Sequence, residues 1–153
     1  MQNIFNQDFQ DFIRSLNEAG VKYVLVGGYA VILHGHYRST GDLDIWVEQS
    51  EENYIKILKA FQLFKMPVFD MTLSNFLENS EMDVFTFGKP PVSIDIMLSV
   101  KGLNFDETFN EAKFTNVEGL EVKVISFPAL LKAKLTSGRL KDLDDIQNLK
   151  EEN

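Results

Sequence analysis

The sequence predicts an α/β (α+β) fold, a mixed β-sheet flanked by helices, in a single domain spanning residues 1–153. Three observations carry that expectation. Apolar residues recur at helical spacing near the start and stop at Gly20. A short apolar run, Val24-Leu25-Val26, is closed by Gly27-Gly28 and followed at once by more apolar residues, as when a buried strand turns into a helix. Short apolar runs then alternate with helical periodicity to the end, without repeats, linkers or low-complexity stretches.

The elements follow in order. Phe5, Phe9, Phe12, Ile13 and Leu16 share one face, so residues 4–19 are expected as an amphipathic helix. Residues 22–26 read as a strand, 29–34 as a helix beginning at the glycines, and 43–48 as a second strand. A helix over 51–64 is expected to bury Tyr54, Ile55, Leu58 and Phe61. Asp70 or Thr72 would cap a short helix. Residues 82–87 and 92–100 read as strands joined across Gly88-Lys89-Pro90-Pro91, and 105–112 as a short helix. A hairpin pairs 114–117 with 121–125 around Glu118-Gly119. Ser126 caps a helix from about 128 to 135 with Pro128 in its first turn, and 141–149 closes as a helix.

Composition removes several classes. With 153 residues the chain is long enough to bury a core, and 44% hydrophobic with 25% charged residues is ordinary for a soluble protein. There is no cysteine, hence no disulfide, thiolate chemistry or Cys-ligated metal, which fits a reducing cytoplasm. No apolar run is long enough to span a membrane, and Met1-Gln2-Asn3-Ile4-Phe5-Asn6-Gln7-Asp8 lacks the basic start and apolar stretch of a signal peptide. A cytoplasmic location is therefore expected. The net charge of −8 argues against a protein that coats nucleic acid through its phosphates.

The chemistry concentrates in two places. Gly27 and Gly28, between strand and helix, let backbone N–H groups approach an anion. Asp42 and Asp44, two apart on a strand, point to one side while Leu43 and Ile45 point into the core. Carboxylates so close repel unless a cation lies between them, and magnesium takes hard oxygen ligands completed by water and phosphate. The bland alternative is a Gly- and Asp-rich turn that Asp42 merely caps. Asp95, in the apolar run Val92-Ser93-Ile94-Asp95-Ile96-Met97-Leu98, is the candidate third carboxylate, because an unpaired acid there is costly to bury. Asp83 is its rival, and a solvated edge strand its plain alternative. His34 and His36 read as loop or packing residues, and Trp46, on the side of Asp42 and Asp44, as packing more than a base-stacking platform.

The run Gly27, Gly28, Asp42, Leu43, Asp44, Ile45, with Asp95 as the later carboxylate, resembles the nucleotidyltransferase superfamily that includes DNA polymerase beta. Gly27-Gly28-Tyr29-Ala30, then Arg38, Thr40, Asp42 and Asp44, looks closer still to small bacterial AbiEii-like nucleotidyltransferases, as does the run of Lys134, Asp142 and Asp145. Tyr29 stands where that branch commonly has Thr or Ser, and its usual C-terminal helical domain is not expected here. The resemblance implies transfer of NMP from a nucleoside triphosphate to an acceptor hydroxyl, with two Mg²⁺ ions, or Mn²⁺ instead, on Asp42, Asp44 and Asp95. Asp95 would also accept the hydroxyl proton. Gly27, Gly28, Arg38, Thr40, Lys134, Asp142 and Asp145 would form the nucleotide-binding set. For Arg38 a structural ion pair is the alternative, and for Asp142 and Asp145 a purely structural role.

The acceptor implied is a small molecule, a protein or a tRNA, and a homodimer or partner protein is a candidate to complete the cleft. Two other readings compete. One is a catalytically silent nucleotide-binding or antitoxin-like module with the same fold. The other is a Rossmann-type phosphate-binding domain, against which the missing Gly-x-Gly-x-x-Gly run counts.

Overall fold

The computed structural model describes residues 4–89 and 92–152, in which helices and strands are interspersed along the chain. The chain runs α1 (Gln7–Ala19), β1 (Tyr23–Val26), α2 (Gly27–Leu33), β2 (Asp42–Val47), α3 (Glu51–Phe64) and α4 (Leu73–Leu77). It continues through β3 (Val84–Lys89), β4 (Val92–Met97), α5 (Phe105–Glu111), β5 (Lys113–Val117), β6 (Leu120–Val124), α6 (Phe127–Ser137) and α7 (Leu140–Glu152). The joint expected at Pro90-Pro91 and the residues Met1, Gln2 and Asn3 lie outside the described residues.

Local chemistry sets the ends of the helices. Asn6 Oδ1 accepts the Phe9 N–H at 2.8 Å, so α1 starts at Gln7 rather than at residue 4, and Gly20 ends it in the left-handed region at φ 73°. Phe5, left outside the helix, packs on Tyr29 at 4.9 Å between ring centroids. Ser50, Thr72, Asn104 and Ser126 cap α3, α4, α5 and α6 in the same way, Thr72 being chosen over Asp70.

The six strands form one mixed sheet in the order β3-β4-β2-β1-β6-β5. The sequential pairs β1–β2, β3–β4 and β5–β6 are antiparallel, whereas β2–β4 and β1–β6 are parallel. One face, carrying Leu25, Leu43, Ile45, Ile96 and Phe87, is covered by α1 and α3. Phe61 of α3 bridges the layers, 5.6 Å from Phe12 and 4.9 Å from Phe87.

That packing corrects the expected face of α3. Tyr54, Ile57, Ala60 and Phe61 are buried, while Ile55 is 61% and Leu58 37% exposed. At 100° per residue, 54, 57, 60 and 61 form one stripe, and position 55 points away from it. The opposite sheet face carries Val24, Val26 and Trp46 beside Asp42 and Asp44. Trp46 is 2% exposed and meets Phe105 of α5 edge-on at 5.2 Å, so it is packed and does not present its face to a base.

Candidate active site

The carboxylates are brought together by strand register. In the parallel pair β2–β4, Asp42 lies opposite Ser93 and Asp44 opposite Asp95. Neighbouring strands run about 4.8 Å apart, so Asp42, Asp44 and Asp95 share one patch of one face. Leu43 and Ile45, both fully buried, anchor the strand from the other side. Asp83 precedes β3, and since Val84 pairs with Met97 and Thr86 with Asp95, position 83 falls on the alternate parity. Register therefore places Asp95, not Asp83, beside Asp44.

Two hydroxyls that sequence reasoning left without a role hold this patch. Ser93 Oγ donates to Asp42 Oδ1 at 2.8 Å, and Thr86 Oγ1 donates to Asp95 Oδ1 at 2.8 Å. Ser93 could have been found from its spacing two before Asp95, whereas Thr86 depends on the β3–β4 register, which no local pattern reveals. Among the described residues no Lys or Arg stands within 4.0 Å of Asp42 or Asp95.

The glycines have a packing reason. A Cβ on Gly27, whose φ is +72°, would collide with Asp44 Oδ2. One on Gly28 would lie 2.5 Å from Thr40 Oγ1 and 3.1 Å from Arg38 Nη2. The two glycines thus let the acidic strand and the loop before it close onto the first turn of α2. Tyr29, next in line, is buried against Phe5 and Phe9, which ties α2 to α1. Burial raises its pKa, and the charge of Asp42 pushes it further the same way.

The basic and acidic residues of the C-terminal helices form a separate network. Asp142 and Asp145, three apart on α7, are 0% and 1% exposed. Lys134 Nζ lies 2.7 Å from Asp142 Oδ1 and 3.2 Å from Asp145 Oδ2. Arg38 Nε faces Asp145 Oδ1 at 3.2 Å, and Arg139 Nε donates to Asp142 Oδ2 at 2.7 Å. Ser137 Oγ also donates to Asp142. Burial alone would raise the pKa of Asp142, but these donors outweigh it and hold it at about 2. Arg38 and Lys134, expected at the triphosphate, are here engaged by the aspartates of α7.

The two groups of residues meet at a cavity of about 200 Å³ bordered by Gly27, Asp44, Lys101, Lys134, Arg139 and Asp142. A larger cavity, about 840 Å³, lies at the far end of the sheet near Arg14, Lys22, Phe109 and Phe114 and contains none of the expected site residues. Chemistry, not size, selects the smaller one. His34 Nε2 bonds the Ile125 carbonyl oxygen at 2.7 Å, and its ring meets Phe127, so it packs as expected. Among the described residues no three His, Cys, Asp or Glu form a group that could hold a metal ion by themselves. Carboxylate oxygens are the donor type magnesium prefers, but here water and substrate phosphates would have to supply the remaining ligands.

Solved structures that share this fold include nucleotidyltransferases. The lincosamide antibiotic adenylyltransferase LnuA, solved with lincomycin bound, superposes with a TM-score of 0.58 at 17% identity, over 99% of this chain and 100% of that one. A putative nucleotidyltransferase from Thermotoga maritima gives 0.54 at 15% identity, over 95% and 91% of the two chains. One from H. pylori gives 0.50 at 16%, over 97% and 70%. The curated proteins contain no match to the sequence. The family model described as nucleotidyl transferase of unknown function (DUF2204) matches residues 5–153, and the chain belongs to that family.

Proposed function

We propose that this protein is a magnesium-dependent nucleotidyltransferase that moves NMP from a nucleoside triphosphate to an acceptor hydroxyl. The observation that carries the reading is the patch of Asp42, Asp44 and Asp95 on adjacent strands, beside a glycine pair that admits Asp44. Magnesium, or manganese in its place, would supply charge neutralisation at the phosphates and activation of the acceptor oxygen when bound. The three carboxylates would hold it, two ions being the expected number.

In the reaction the acceptor oxygen bonds to the α-phosphorus as the bond from that phosphorus to the β-phosphate bridging oxygen breaks, and pyrophosphate departs. Asp95 takes the hydroxyl proton through its carboxylate, which Thr86 orients. Gly27, Gly28 and Thr40 line the approach of the phosphates. Lys134, Asp142, Asp145 and Arg38 tie α6 and α7 to the loop before β2. Their presence supports kinship with the small AbiEii-like branch.

The acceptor is best read as a small molecule, because a net charge of −8 disfavours docking of a large RNA. LnuA, whose name describes adenylylation of a lincosamide, is consistent with that class. The lack of cysteine supports a cytoplasmic setting, and no helix among the described residues is long and apolar enough to cross a membrane.

The test is incubation of wild type and Asp44→Asn with each labelled NTP and Mg²⁺ against hydroxyl acceptors. Pyrophosphate release and label transfer by wild type alone support the reading. NTP binding without turnover by wild type would instead establish the silent nucleotide-binding or antitoxin-like module. Sizing of the same sample determines whether a homodimer or a partner completes the cleft.

A further inference from the structure

The two cations that the resemblance places at the phosphates are already engaged within the protein. Lys134 is 6% exposed and shared between Asp142 and Asp145, and Arg38 is drawn to Asp145. Whatever meets a polyphosphate in this cavity must come from elsewhere on its wall.

Two residues are placed to do so. Arg139 is anchored by its Nε to Asp142, yet its side chain is 64% exposed at the cavity rim, so the fork of the guanidinium is held in place while facing out. With Arg38, Lys134 and Arg139 set against Asp142 and Asp145, the network keeps one positive charge in excess. Lys101 reaches the same rim from the turn after β4, and among the described residues no carboxylate pairs with it. That turn is built rigidly. Leu103 N–H donates to the Val100 carbonyl oxygen at 3.1 Å, and Gly102 lies so close to α6 that a Cβ there would stand 2.5 Å from Thr136 Oγ1.

We propose that Lys101 and Arg139 form the subsite for the β- and γ-phosphates, and so stabilise the departing pyrophosphate. This rests on the nucleotidyl-transfer reading above. At about 200 Å³ the cavity is smaller than the roughly 300–1,000 Å³ of ordinary ligand pockets, which suits a phosphate tail better than a whole nucleotide. Its lining combines apolar Val26, Ile125 and Leu130 with Asp44, Asp142 and three cations, of which Lys134 is buried while Lys101 and Arg139 are exposed. Fixed cations aimed at a leaving group act most strongly where water is displaced.

The experiment is equilibrium titration of wild type, Lys101→Met, Arg139→Gln and Lys101→Arg with inorganic tripolyphosphate, and with ATP and AMP, all in MgCl₂. Each neutralising variant is expected to weaken tripolyphosphate and ATP binding about tenfold, with AMP unchanged and Lys101→Arg close to wild type. Lys101→Met touches no internal ion pair, so it reads the subsite without disturbing the fold. If wild type binds tripolyphosphate and both variants bind it equally well, or lose AMP in the same proportion, the subsite is overturned while the nucleotidyl-transfer reading stands. If wild type binds neither tripolyphosphate nor ATP, both fall.

Discussion

The molecule carries two acidic clusters within reach of one cavity, and they are built on opposite principles. Asp142 and Asp145 of α7 are buried, and each is matched by cations from the protein itself. Asp42 and Asp95, on β2 and β4, remain partly exposed and receive one serine and one threonine hydroxyl. A buried carboxylate without a partner is costly, so the first cluster had to be compensated for the helices to dock. Under the proposed function, the second would be met by a cation that arrives with substrate. One residue type thus serves two ends. The compensated cluster ties α6 and α7 to the loop before β2, and the other is where chemistry is proposed.

Substitutions separate the two clusters. The largest effect is expected from Asp44→Asn, which should lower turnover on the order of a thousandfold with the fold retained, measured as pyrophosphate release alongside circular dichroism. Lys134→Met should do the reverse. By leaving Asp142 and Asp145 buried without their shared cation, it should cost about 3–5 kcal/mol of stability, read from urea unfolding. Equal loss of stability in both variants would erase the distinction between the clusters.

Gly27→Ala probes the contact between the glycine turn and the acidic strand. A methyl group there meets Asp44 and sits at positive φ, so roughly 2 kcal/mol of stability should be lost together with turnover.

Acid unfolding addresses the scaffold side. The pKa of Asp142 is lowered to about 2, so its contribution is fully present above the ordinary carboxylate range and disappears as pH falls through its folded value. On the order of 2 kcal/mol should therefore be lost between about pH 4 and pH 2, and Asp142→Asn should flatten that limb of the stability profile. The smallest effect is expected from Thr86→Val, which removes the donor to Asp95. Turnover should fall severalfold and stability change by no more than about 1 kcal/mol.

Much of this is legible in the chain. The glycine pair after an apolar run announces the turn from β1 into α2, and Asp-x-Asp alternation puts Asp42 and Asp44 on one face whatever the strand register. Asp95 stands out as an acid in an apolar strand. What cannot be read depends on pieces far apart in sequence. The pairing of Arg38 with Asp145 joins the loop before β2 to α7, and the choice of Asp95 over Asp83 rests on the parity of β3 against β4. The exposed Ile55 and Leu58 show the same limit, because a helix with apolar residues on more than half of its circumference does not say which stripe its neighbour will cover. Lys101 carries no local pattern at all; the bond from Leu103 to Val100 and the close packing of Gly102 on Thr136 fix the turn that holds it.

Thermal unfolding of wild type and Asp44→Asn, with and without Mg²⁺ plus a non-hydrolysable NTP analogue, decides whether the sheet carboxylates await a cation that arrives with substrate. If they do, Asp44→Asn without ligand should melt at or above the wild-type temperature, relieved of like-charge repulsion. Addition of Mg²⁺ and analogue should then raise the melting temperature of wild type alone. A fully retained rise in Asp44→Asn, or a ligand-free variant that melts well below wild type, would contradict it and make Asp44 part of the scaffold.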